Sequence, residues 1–421
     1  MGVLAMKRIL IVGGGTGATM LANMLDKRRF DVTVLSKSRA HVFQPAFLYV
    51  AFKHGNPNIV RDERRLLARH VRFVEDAVTR IDLEAHTVTT AGDARYEYDA
   101  VVVATGVTTD PSQIPGLTEV NAQFGDYHTS VVQAQKVWAA LDSFRSGTIV
   151  LGQSTPIIKC PPSPVEGILL AEELIRRRGL RQKTRLVFIT PFPRAYPAEP
   201  MNEIVEPVLR SRGIETMTFF DVDRIDPETR TISSIAGDEI QYDLPIIIPP
   251  FVGAEIAYEP ASVLDANRFV VTDKQNLRIK GFDDAFAIGD ATNLPTSKAG
   301  VGAHLEAKVV ARLLEGAPAE FHGRTHCPMD LAYGLGTFVI GSYTTPVLKY
   351  PPNRLNHLMK AMMGHIYWVS LRGTLEPVFD WYFARTDPDK VRQAGEVAGH
   401  AKATPRRLDH GRQARWPPGK A

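Results

Sequence analysis

Short apolar runs bounded by glycine, proline or charge recur along the chain, with stretches of helical spacing between them. Arg8-Ile-Leu-Ile-Val12, Asp31-Val-Thr-Val-Leu35, Tyr98-Asp-Ala-Val-Val-Val103 and Ala285-Phe-Ala-Ile288 are short, largely apolar runs of strand length, the pattern of strands covered on both faces of a parallel sheet. A strand pair is expected around Arg72–Thr90. A second series begins with Ile149-Val-Leu151 and continues through Arg185–Thr190, Glu215–Val222 and Leu244–Ile248, with helices at 163–177 and near 202–212 between its members. Strands alternating with helices predict an α/β fold. Two such series predict two Rossmann-like dinucleotide-binding domains. Residues 1–113 and 263–322 form the first, interrupted by the second at 114–262; residues 323–384 form a C-terminal region, and 385–421 a basic tail expected to be disordered.

In the C-terminal region Leu355, Leu358, Met359, Met362, Met363, Ile366 and Val369 recur at helical spacing, and Leu375, Val378, Phe379 and Tyr382 do so again after Gly373. Aromatic residues (Tyr367, Trp368, Trp381, Phe383) and Lys349, Arg354, Lys360 and Arg372 surround these stripes. Apolar stripes rimmed by aromatic and basic groups predict amphipathic helices lying in a membrane interface. Packing on the core, or in a homo-oligomer interface, is the competing account. No apolar run reaches the ~18 residues needed to span a bilayer, and the N-terminus reads as carrying no secretion signal. The expectation is a peripheral, monotopic protein.

Charge changes this picture little. Residues 385–421 hold nine Lys/Arg against four Asp/Glu, while the whole chain of 421 residues carries +4, so the body is near neutral and gives no electrostatic case for nucleic acid. Two cysteines make no disulfide scaffold and suggest a specific redox use.

Candidate chemistry begins at Gly13-Gly-Gly15-Thr16-Gly17-Ala18. Gly13, Gly15 and Ala18 fit G-x-G-x-x-[GA] directly after a strand and opening a helix expected at 19–27, the setting in which backbone N–H groups hold a pyrophosphate. The next strand ends in Ser36-Lys37 rather than the acidic residue that binds ribose hydroxyls; with Arg39 these are compatible with a 2′-phosphate. Ala104-Thr105-Gly106 ends another buried strand, and Gly289-Asp290 a fourth, where Asp290 is placed to accept from a ribitol hydroxyl or simply to cap a helix. Lys298 would lie beside a flavin or in solvent. The second domain departs from the plan. Only Gly152 remains of its glycine pattern, and Pro156, Pro161, Pro162 and Pro164 deny it the N–H groups a pyrophosphate needs. What its turn offers is Cys160, ahead of a predicted capping box with Ser163 at the N-cap, Pro164 at N1 and Glu166 at N3. The helix dipole there is expected to favour thiolate. Cys327 is the second cysteine. If the two meet on one flavin face, sulfide can add to their disulfide and the thiolate released can pass two electrons on. Glu166 is the candidate base. His322, His326 and Cys327 lack a fourth ligand, and no metal is expected.

Gly13–Ala18, Ala104-Thr-Gly106, Lys159-Cys160-Pro-Pro-Ser-Pro-Val-Glu166, Gly289-Asp290, Lys298 and Cys327 together resemble the sulfide:quinone oxidoreductase and flavocytochrome c sulfide dehydrogenase family of FAD-dependent, pyridine nucleotide-disulfide oxidoreductase-like proteins, over about residues 7–384. The resemblance implies FAD as cofactor, sulfide and quinone as substrates, Cys160 and Cys327 as the redox pair, and FAD contacts from the glycines and Asp290. Many bacterial members carry a third cysteine in the stretch matching Phe124–Val132, where this chain has His128 and no cysteine. Amphipathic C-terminal helices mark the quinone-reducing members, with Phe338, His365, Tyr367 and Trp368 as candidates for the quinone slot. A type II NADH dehydrogenase would need an intact glycine turn near Gly152. A flavocytochrome c-type subunit would need export, and a flavin-binding sensor would have no use for the cysteines.

Overall fold

The computed structural model describes residues 6–393; residues 1–5 and most of the expected basic tail lie outside the described residues. A five-stranded parallel sheet contains β1 (Lys7–Val12), β2 (Phe30–Ser36), β3 (Arg72–Glu75), β4 (Ala100–Val103) and Ala285–Ala287, in the order Ala285–Ala287, β4, β1, β2, β3. The expected strand pair at Arg72–Thr90 divides. Its first run is the edge strand β3, and the antiparallel pair is Val78–Asp82 with Thr87–Thr90. Ile11, Val34, Val102 and Ala287 are fully buried, as sheet positions covered on both faces must be.

A second parallel sheet contains β5 (Gly147–Gln153), β6 (Thr184–Ile189), β7 (Glu215–Met217) and β8 (Leu244–Ile248), in the order β7-β6-β5-β8. Between β5 and β6 runs α1 (Ser163–Arg177), whose Val165, Ile168, Leu169 and Ile175 pack into the same core as Ile149, Leu151 and Phe188. This core also takes in Cys327 and Met329 from an antiparallel hairpin, β9 (Thr325–Asp330) and β10 (Gly336–Gly341). The hairpin thereby ties the C-terminal region to the second sheet.

The glycine turn after β1 opens a helix at Thr16–Met24, three residues earlier than its apolar spacing suggests, and this helix packs on Gly300–Leu314. The C-terminal stripes become α2 (Arg354–Ser370) and α3 (Glu376–Arg385), with Gly373 at φ +72° in the turn between them. Leu355, Leu358, Met362, Ile366 and Val369 lie exposed along one side of α2, and Val378 and Trp381 are exposed on α3 at 59% and 58%. Among the described residues no helix is long and apolar enough to cross a membrane. The beginning of the expected disordered tail is instead tied down: Asp387 pairs with Arg324, and Asp389 accepts from the hydroxyls of Ser342 and Thr344 at 2.8 Å each.

Candidate active site

The carboxyl ends of Ala285–Ala287, β4, β1 and β2 lie side by side and bring Gly289-Asp290, Ala104–Gly106, Gly13–Ala18 and Ser36 to one edge of the sheet. Gly13 has φ +121°, and a Cβ there would lie 2.3 Å from the Ala104 carbonyl oxygen, so no other residue permits this approach of turn to strand. A Cβ on Gly17 would press on Ile288 at 3.1 Å, and Ala18 is fully buried; both let the helix close on the sheet. Gly15 and Gly106, by contrast, face open space. Unfilled room above first-turn N–H groups with no intrahelical partner fits the pyrophosphate of a dinucleotide. Ser36 is turned inward and donates to Ser38 O at 2.8 Å, while Lys37 is exposed and Arg39 lies 3.8 Å from Glu75.

Asp290 is half-buried beside Lys159 and Lys298, and desolvation pushes its carboxyl above the ordinary range despite them. Lys298 is not a solvated lysine. Its ammonium donates to the carbonyls of Asp290 (3.2 Å) and Thr292 (2.5 Å) and lies 4.3 Å from the centre of the Phe269 ring. Burial lowers its pKa. It thus fastens the Asp290–Lys298 segment to itself.

The turn after β5 is unlike a nucleotide turn. Gly152 lies inside the strand, where a Cβ would come within 2.0 Å of Ile189 O; it serves the pairing of β5 with β6. Ser154 N–H and its hydroxyl both donate to Ile248 O (3.1 and 2.7 Å), and Ser154 O accepts from Val222 N–H (3.0 Å). The Ser154 N–H, a donor that a pyrophosphate could use, is thereby spent. The chain then runs out to pair Lys159 with Lys298, and Cys160 donates its N–H to Lys298 O at 2.8 Å from a left-handed conformation of φ +57°. Cys327 comes to the same segment from β9. It is 5% exposed, with its sulfur 3.7 Å from the hydroxyls of Ser297 and Thr325. Two cysteines far apart in sequence therefore converge on Ser297–Lys298, just beyond Gly289-Asp290.

Two local expectations fail. The capping box does not form: the N-cap is Pro162, and the Ser163 hydroxyl is 2.9 Å from His128 Nε2. A thiolate is not favoured either. Burial pushes both thiols up, and Glu166 raises Cys160 further; desolvation outweighs the helix dipole.

Glu166, freed from capping, turns to the C-terminal region. Its carboxylate accepts from Asp330 N–H at 2.5 Å and is ion-paired with Lys360 of α2, whose ammonium also donates to Pro328 O at 3.1 Å. Asp330 faces Tyr49 (3.4 Å), Lys53 (3.3 Å) and His357 (3.5 Å). Sequence reading counted Lys360 only among basic residues around an interfacial helix. The available signal was its place one turn from Asn356 and Gly364, off the apolar stripe.

The four quinone candidates separate. Tyr367 and Trp368 pack with His41 and Phe43, and the Tyr367 hydroxyl is 2.8 Å from Thr16 Oγ1 and 2.5 Å from His41 Nε2. Behind them His41 Nδ1 meets buried Glu63 at 2.5 Å. This cluster stands at the glycine turn. Phe338 is buried in the hairpin against His326, His326 Nε2 is 2.6 Å from the Tyr382 hydroxyl, and His365 is exposed. Burial lowers the pKa of His326 to about 4. No group of three potential metal ligands is found among the described residues.

Residues 7–158 match the family described as pyridine nucleotide-disulphide oxidoreductase. The chain is 25% identical over 390 residues to the mitochondrial sulfide:quinone oxidoreductase of Mus musculus, covering 87% of this chain and 86% of that one. It is 26% identical to the Dictyostelium discoideum protein of the same name, covering 86% and 85%. In fold it is similar to the sulfide:quinone oxidoreductase from the bacterium Aquifex aeolicus, with a TM-score of 0.76 and 21% identity over 87% of this chain and 92% of that one. A Plasmodium falciparum NDH2 solved in complex with NADH shares the fold less closely, with a TM-score of 0.67 and 12% identity over 88% and 98%.

Proposed function

We propose that this FAD-dependent oxidoreductase, similar to the pyridine nucleotide-disulphide oxidoreductases over residues 7–158 and to the sulfide:quinone oxidoreductases over most of its length, oxidises sulfide to zero-valent sulfur or polysulfide and delivers two electrons to a quinone. The observation that carries the reading is the convergence of Cys160 and Cys327 on the Ser297–Lys298 segment next to Gly289-Asp290. The Ser154 N–H bonded to Ile248 O, and the prolines at 156, 161, 162 and 164 in the turn after β5, speak against nicotinamide as electron donor.

Gly13, Gly15, Thr16, Gly17 and Ala18 would hold the pyrophosphate of FAD, with Ser36 and Lys37 towards the adenosine end and Ala104–Gly106, Gly289, Asp290 and Lys298 towards the ribitol and flavin. Bound there, FAD supplies a two-electron acceptor for sulfur and a donor to quinone. The chain's own residues do the rest. The buried, largely apolar wall around Cys327 excludes water from the sulfur atoms. Glu166, held above the ordinary carboxylate range by burial, is poised to take a proton from hydrogen sulfide as its sulfur attacks the cysteine pair. The exposed apolar side of α2 and α3 would rest in the membrane interface, where quinone is dissolved.

Anaerobic titration of the purified flavoprotein tests the reading. Sulfide should bleach the flavin, and a soluble quinone should restore it. Cys160→Ser and Cys327→Ser should each retain FAD and lose bleaching by sulfide. Bleaching by NADH instead, or full sulfide response in both variants, overturns the proposal.

A further inference from the structure

The first turns of α2 carry a charge into the sulfur site. Lys360 is 9% exposed although the opposite side of the same helix presents Leu358, Met362 and Ile366 to solvent. Its ammonium pairs with Glu166, six residues beyond Cys160, and donates to the carbonyl of Pro328, the residue after Cys327. It therefore touches both cysteine-bearing segments. The titratable groups packed around it are Glu166 from α1, Tyr49 from the helix at Phe47–Lys53, Cys160, and Cys327 from β9; Asp330 lies behind Glu166 with Lys53 and His357 on its other side.

An ion removed from water in this way is retained only when a partner offsets its desolvation. Glu166 is that partner while its carboxylate is ionised. Resting on the sulfide-oxidising reading above, we propose that Lys360 is a positioning residue whose fixed charge passes from the Glu166 carboxylate to the cysteine thiolate during sulfide attack. Starting from the oxidised protein, in which Cys160 and Cys327 are joined as a disulfide, hydrogen sulfide gives one proton to Glu166 while its sulfur bonds to one cysteine and the Cys160–Cys327 bond breaks. The products are a persulfide that keeps the second hydrogen, a thiolate, and neutral Glu166. Net charge in the buried site is zero before (carboxylate, ammonium) and zero after (thiolate, ammonium), so no uncompensated charge is created in a low dielectric.

Alkylation of the reduced, FAD-loaded protein by iodoacetamide, followed against pH by peptide mass at each cysteine, reads thiolate formation without sulfide or turnover. Lys360→Met should move the inflection upward and slow Cys160 alkylation at neutral pH by about tenfold or more. Glu166→Gln should do the reverse, because Lys360 then faces the thiols alone. Lys360→Arg should stay near wild type, and the double variant Lys360→Met/Glu166→Gln should return to within about threefold of it. Should Lys360→Met fail to fold, the downward shift in Glu166→Gln still decides. A Glu166→Gln inflection that is unmoved or raised, or a Lys360→Met profile like wild type, overturns the proposal; failure of sulfide to bleach the flavin would instead overturn the reaction it serves.

Discussion

Removing one oxygen atom, by Tyr367→Phe, should loosen α2 from the dinucleotide edge. The Tyr367 hydroxyl sits between His41 Nε2 at 2.5 Å and Thr16 Oγ1 at 2.8 Å. The ring would remain, still packed 4.6 Å from Phe43 and 5.0 Å from Trp368 between ring centres, so apolar burial is unchanged. What is lost is the hydrogen bond with Thr16, worth about 1 kcal/mol, and the partner of an imidazole that is 1% exposed and costs roughly 1–3 kcal/mol when orphaned. The sum is about 2–4 kcal/mol, borne by the contact of α2 with the Thr16 turn. Hydrogen–deuterium exchange of the 354–370 amides reads it directly, since roughly each 1.4 kcal/mol speeds exchange through local opening about tenfold. Exchange about 30-fold faster or more in α2, with β1 and β4 unchanged, is the expected result. A change under about threefold would refute the claim that this hydroxyl holds the helix.

Glu306 gives a pH-dependent test. Its carboxyl accepts from Gly289 N–H at 2.5 Å, and burial holds it up to about 7. A raised acid favours the protonated fold, so this stability is complete below the unfolded value of 4.5 and is lost as pH climbs through about 7. Glu306→Gln keeps an acceptor for Gly289, and denaturant midpoints should show it gaining roughly 3 kcal/mol on wild type above neutrality and little near pH 4; a pH-independent difference would contradict this. Leu358→Asp with Met362→Asp should abolish co-sedimentation with lipid vesicles, because each buried side chain of this size contributes about 2 kcal/mol, and should leave flavin bleaching by sulfide intact. Vesicle binding at the wild-type level would show that this side of α2 is not the docking side.

The glycine turn was legible in sequence because its requirement is local: Gly13 must adopt φ +121° against Ala104, and only one residue type does so without strain. The strand series was legible for a similar reason, as apolar runs report burial on both faces whatever lies above them. The capping box at Ser163 illustrates the opposite case. Its pattern was intact, yet both side chains found partners across the fold, Ser163 at His128 and Glu166 at Asp330 and Lys360, and a buried carboxylate gains more from an ammonium than from a backbone N–H. The quinone candidates face different ways, which aromatic composition does not report. Tyr367 and Trp368 point to the glycine turn while His365, on the same helix, points to solvent.

By itself, then, the sequence determined what depends on neighbours along the chain: two parallel-sheet units, a glycine turn at Gly13–Ala18, a second turn with prolines where glycines would stand, and paired helices with an apolar stripe. Only the tertiary structure decided what depends on residues far apart in sequence. It brought Cys160 and Cys327 to Ser297–Lys298, pushed both thiols up by desolvation, and set Lys360 against Glu166. Backbone demands and periodicity are written in consecutive residues. Desolvation and charge pairing belong to the space that the folded chain encloses, and are fixed only once it has closed.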